Sequence, residues 1–136
     1  MKQNPSEAFS IYKNKAFARF GKKARITDCD LWKAAQLANK GVIDADLGGG
    51  VIKQRIARAG EGKSGGSRSI ILFRKGDRAV YVYGFEKKDL ANIRPDELEA
   101  FRELAKVILG YSRAEIENMV KLGALFKIQE SEDDNG

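Results

Sequence analysis

The chain has 136 residues, of which 43% are apolar and 32% charged, a balance that fits one globular domain able to build its own core. There are 25 Lys or Arg against 19 Asp or Glu, so the chain is basic, and a polyanionic partner, nucleic acid first among them, is the expectation. It has no histidine and one cysteine, Cys29, which excludes Ser-His-Asp and Cys-His nucleophiles, paired-His nucleases, His-based metal sites, a zinc cage and any internal disulfide.

Any general acid or base must therefore be Lys, Tyr, Asp or Glu. No apolar run approaches the roughly 18 residues of a membrane span. The start, MKQNPSEAF, lacks the apolar core of a secretory signal. With the lone cysteine, this points to a cytoplasmic protein with no membrane partner.

In chain order, Phe9, Tyr12, Ala16 and Phe20 recur at helical spacing and predict a helix over 6–20, closed by Gly21. Its other face carries Lys13, Lys15 and Arg19, which read as a solvated face or, more sharply, as an additional phosphate-contacting surface. Thr27 is an N-cap for a second helix with Asp28 and Asp30 at its positive end. Leu31, Ala34, Ala35 and Ala38 form its buried stripe, Trp32 reads as core, the more frequent case, or as an exposed anchor, and Gly41 is the stop.

The run 42–47 alternates as a short strand. Asp44 and Asp46 share one of its faces, and a solvated face or pairing with nearby Lys or Arg is a plainer reading than a metal site. After three glycines, 51–59 reads as a strand with Ile52 and Ile56 on one side and Lys53 and Arg55 on the other. That places two cations about 7 Å apart, near the spacing of adjacent phosphates. The runs 69–74 and 79–85 are strands joined by a turn at Lys75-Gly76-Asp77-Arg78. Strict alternation puts Tyr81 and Tyr83 on one face, opposite Val80 and Val82, as structural tyrosines or as a base-stacking surface.

Pro95, followed by Asp96 and Glu97, opens a helix whose stripe is Leu98, Phe101, Leu104, Ala105 and Ile108. Ser112 and Glu115 form a capping box for a short helix around Ile116, Met119 and Val120. A last strand covers 125–129.

The expected fold is therefore α+β, a small twisted antiparallel sheet packed against flanking helices. One domain spans 1–129, with N-terminal helices within 6–40, the sheet core within 42–86, and C-terminal helices and a last strand within 95–129. The acidic tail 130–136 is expected to be disordered.

Residues 51–88 hold ten Lys or Arg and three acids, a net +7 in a chain whose total is +6. Within this stretch ARAGEGKS at 57–64 matches a loose phosphate-loop pattern. That motif needs a helix after the loop, and here two glycines and a strand follow, so a nucleoside triphosphatase is not the reading. A flexible loop with a solvated lysine is one alternative. The other is an anion cradle in which Lys63 is a mobile cation between glycines and Arg68 a two-pronged phosphate clamp.

Taken together, Lys53-x-Arg55-x-Ala57-Arg58, Gly60-x-Gly62-Lys63-Ser64-Gly65-Gly66-x-Arg68, Tyr83-Gly84-Phe85-x-Lys87 and Asn92-Ile93 resemble the RelE-like toxins of type II toxin–antitoxin modules. The narrower similarity is to the branch carrying a GKSGG-x-R loop. It spans roughly Val51 to Lys127. The resemblance implies a compact antiparallel sheet flanked by helices, a cofactor-free endoribonuclease that cuts mRNA on the ribosome and inhibits translation, and a cognate acidic antitoxin. Related ParE-like members poison DNA gyrase instead, and a non-catalytic nucleic-acid-binding module is a further alternative.

RNA cleavage without a metal uses the 2′-OH as nucleophile. Lysine among other cations exchanges protons nearer neutrality and can replace histidine. The expected site is Arg55 and Arg68 as phosphate clamps, Lys53, Lys63 or Lys87 as the proton-handling amine, and Tyr83 or Tyr81 as stacking platform or acid.

Overall fold

The computed structural model describes residues 9–57, 66–86 and 93–130. It opens on a strand, β1 (Ser10–Asn14), followed by helix α1 (Lys15–Ala24), so the single helix expected over 6–20 is corrected. Asn14 marks the junction, its side chain accepting from the Phe17 amide at 2.8 Å as an N-cap. Gly21 does not end the helix. It is buried within it, and the stop is Arg25 in the left-handed region at φ 60°. The apolar spacing misled because β1 is an interior strand. Ile11 and Tyr12 are both buried, on opposite faces, so the strand shows no alternation.

The remaining elements lie close to their expected places. Helix α2 (Asp28–Asn39) has a full Thr27/Asp30 capping box and buries Leu31, Ala34, Ala35 and Ala38. Strands β2 (Ala45–Gly48) and β3 (Val51–Ile56) form a hairpin, followed by β4 (Ser67–Arg74) and β5 (Arg78–Glu86). Helix α3 (Pro95–Gly110), helix α4 (Arg113–Lys121) with its Ser112/Glu115 box, and β6 (Leu125–Ile128) complete the chain.

The strands form one six-stranded sheet in the order β2-β3-β4-β5-β1-β6. The class is α+β as expected, with one parallel pair, β1 with β5, in an otherwise antiparallel sheet. Helices cover both faces. Phe17 of α1 and the α2 stripe pack on Ile52, Ile56, Ile71 and Tyr81. Ala105, Ile108 and Leu109 of α3 and Ile116 of α4 pack on Val51, Ile70, Leu72, Val80 and Leu125.

A register shift in β4–β5 corrects the expected tyrosine face. Ile70 pairs with Tyr83 but Ile71 pairs with Tyr81, leaving Val82 as the extra residue of a bulge. Tyr81 therefore turns into the α1–α2 core, while Tyr83 turns to the α3 side, its ring 5.9 Å from that of Phe101. Tyr81 is fully buried and its hydroxyl donates to the Leu31 carbonyl at 2.7 Å, and burial pushes its pKa far up. It is a core residue, without access to a surface ligand. Tyr81→Phe is expected to lower stability by about 1 kcal/mol, the net worth of one buried hydrogen bond, read from urea denaturation.

Candidate nucleic-acid interface

Backbone register assembles the site. On the α3 side of the sheet two rows run across β3, β4 and β5. One is Lys53–Ile70–Tyr83 and the next is Arg55–Arg68–Phe85. Residues paired across strands share a face, so Arg55 and Arg68 stand directly opposite each other, with Cβ atoms about 5 Å apart. Lys53 is one row away from Arg55, about 7 Å along the strand. A third row, Val51–Leu72–Val80, lies under Ala105 and Leu109 of α3. The helix thus covers one end of this face. At the other end Lys53, Arg55 and Arg68 are half-buried and Tyr83 is exposed.

Aromatic rings border the cations. Tyr83 lies 6.0 Å from Phe85 and 5.9 Å from Phe101, ring centre to ring centre, in tilted contacts. Phe85 is buried among the α3–α4 contacts, so Tyr83 is the ring with a free face.

The Arg68 guanidinium is under-satisfied. Its Nη1 is buried with no hydrogen-bond partner, and its Nε lies 3.8 Å from Asp44 Oδ2, too long for a hydrogen bond. Buried N–H donors are almost always satisfied in folded proteins, so this atom marks a place for an acceptor.

Gly66 leads into β4. Gly66 sits at φ +90°, and a Cβ there would lie 2.6 Å from the Ile56 carbonyl oxygen and 3.7 Å from Arg55 Nη2. Gly84 is also required to be small, since its Cβ would meet the Phe20 ring of α1 at 2.3 Å. The described strands on either side of the glycine-rich loop, β3 and β4, are antiparallel neighbours, not the strand and helix that the phosphate-loop mechanism requires.

A family model described as the RelE toxin of the RelE / RelB toxin-antitoxin system matches residues 9–128. The chain belongs to the RelE toxin family. No curated protein matches it in a sequence comparison. The match begins at β1 and takes in α1 and α2, ahead of the motifs between 53 and 93.

The structure of this RelE toxin brings together four of the expected site residues, Lys53, Arg55, Arg68 and Tyr83, on one face. Lys63 and Lys87 lie outside the described residues, as does Arg58. Three other cations of the 51–88 stretch belong elsewhere. Arg74, Lys75 and Arg78 sit at the opposite β4–β5 turn, about 20 Å along the strand from Arg68. Arg78 is buried and donates through Nη1 to the Ile108 carbonyl at 2.9 Å, holding the end of α3, and Arg74 pairs with Asp77.

One neighbour of this face was not legible in the sequence: Phe101 looks like any apolar stripe residue until α3 is placed over the sheet. Asp44, expected to pair with a nearby Lys or Arg, lies against Arg68. Among the described residues no group of three or more His, Cys, Asp or Glu is placed to hold a metal ion, and no helix is long and apolar enough to cross a membrane.

Proposed function

We propose that this RelE toxin is an endoribonuclease that cuts mRNA, in the setting of the ribosome, and that a cognate acidic antitoxin silences it by occupying the same cationic face. The observation that carries this reading is the double row on β3–β5. Two guanidiniums lie opposite each other, each with a buried donor that makes no hydrogen bond, Arg55 Nε and Arg68 Nη1, an amine stands one row away, and a tyrosine ring shares that amine's row.

Arg55 and Arg68 grip the scissile phosphate and stabilise the charge that grows on its non-bridging oxygens. The 2′-oxygen attacks phosphorus as the bond to the 5′-oxygen breaks, giving a 2′,3′-cyclic phosphate and a 5′-hydroxyl. The 2′-OH proton passes to a base and a proton reaches the leaving 5′-oxygen. Lys53 and the Tyr83 hydroxyl, from one row, are the described groups able to handle those protons, with Lys63 and Lys87 as the further amines of the sequence reading. Tyr83, backed by Phe85 and Phe101, offers a stacking surface for a base splayed from the message.

The test is a reconstituted translation mixture. The wild-type chain is expected to cleave the translated transcript, leaving 2′,3′-cyclic phosphate ends, and to spare the same RNA without ribosomes. Intact transcripts together with gyrase-dependent DNA breaks would replace this reading with gyrase poisoning. Salt-sensitive RNA binding without cleavage would reduce the protein to a binding module.

A further inference from the structure

We propose that Asp44 is the resident counter-ion of Arg68, holding in the free protein the place that a substrate phosphate takes on binding. This deepens the phosphate-gripping reading above and rests on it for the identity of the ligand. Arg68 stands opposite Arg55 in the β3–β4 register. Among the described residues the carboxylate against Arg68 is Asp44, with Oδ2 at 3.8 Å from Nε. That separation gives attraction without a hydrogen bond, and it leaves Nη1 without an acceptor. A carboxylate so placed is a loose partner. A phosphate, with several acceptor oxygens, can meet both Nε and Nη1 in the planar two-pronged geometry that guanidinium favours.

Asp44 is held there by design of the core. Gln54, a buried polar residue of β3, accepts from the Asp44 amide at 2.9 Å through Oε1 and donates through Nε2 to the carbonyls of Val42, at 2.9 Å, and Ala34, at 3.1 Å. The backbone of 42–44 is thereby pinned to α2 and β3. The Asp44 side chain remains about one-third exposed, 37%, and free to turn toward water when an anion arrives. Asp44 and Arg55 also border one cavity of about 410 Å³ beside α2, with Leu37 and Val42. Asp44 thus lies at the rim of the cationic face, where a carboxylate can leave without disturbing the core.

The experiment measures anion affinity without relying on cleavage. Wild type, Asp44→Asn and Asp44→Ser are titrated with inorganic phosphate, by thermal shift, and with a labelled 2′-O-methyl oligoribonucleotide, which lacks the nucleophile. The two substitutions keep the backbone bonds to Gln54. Both are expected to bind phosphate and oligonucleotide about two- to fivefold more tightly than wild type, the range for one partly exposed ion pair removed as competitor. In an Arg68→Gln background the gain is expected to vanish. Equal or weaker binding by both Asp44 variants overturns the proposal, as does a gain that persists without Arg68. If the Asp44 variants bind more tightly but wild type leaves translated mRNA intact, the counter-ion stands and the ribonuclease reading falls. If wild type cleaves and the variants bind as wild type does, the reverse holds.

Discussion

Arg68→Ala is expected to abolish the growth arrest that the wild-type chain causes when expressed without an antitoxin. Arg68 is the centre of its row, between Arg55 on β3 and Phe85 on β5, and its Nη1 is a buried donor without a hydrogen bond. Removing one preorganised donor to a developing oxyanion commonly costs about 10²–10³ in rate. Cleavage in a translation mixture should fall by at least about that range, to below what arrests growth. Arg68→Lys keeps the charge but loses the planar fork, and an intermediate loss is expected.

Folding is not at risk to the same degree. The side chain is 16% exposed, and its ion pair among the described residues is the loose contact with Asp44. Circular dichroism and a denaturation midpoint near wild type are therefore the expected companions of lost toxicity. A folded Arg68→Ala protein that still arrests growth and still cuts the message would remove Arg68 from the mechanism.

Gly66→Ala is expected to destabilise the protein by about 2–4 kcal/mol, through two separate penalties. The first is conformational, since φ +90° suits glycine and strains any residue with a Cβ. The second is steric. The new Cβ would lie 2.6 Å from the Ile56 carbonyl oxygen, which is backbone in a paired strand and has no rotamer to change. For a domain of this size the melting midpoint should drop by roughly 10 °C.

The matched control is Gly76→Ala, in the β4–β5 turn. Gly76 is also left-handed, at φ +74°, but nothing lies within 4 Å of its Cβ position. That variant pays only the conformational penalty, about 1 kcal/mol. Equal midpoints for the two variants would show that the β3–β4 closure is not constrained as described.

Much of the fold was legible because its signals are local. The Thr27 and Ser112 capping boxes, Pro95 before two acids, and the apolar stripe of α2 each depend on residues within one or two turns of one another. The Lys53-x-Arg55 spacing likewise follows from strand geometry alone. β1 was not legible. It is a five-residue interior strand buried on both sides, and its partners, β5 and β6, lie more than sixty residues downstream.

What the amino-acid order determined by itself was therefore the α+β class, the cationic strands and the exclusion of histidine and disulfide chemistry, since composition and short-range periodicity carry those. Tertiary structure decided which cations meet. Pairing register set Arg55 against Arg68, a one-residue bulge sent Tyr81 into the core and Tyr83 to the α3 side, and a buried glutamine pinned Asp44 at the rim. The reason is that register and face are properties of two strands at once. A shift of one residue exchanges every side chain between core and surface, and no local pattern in either strand records it.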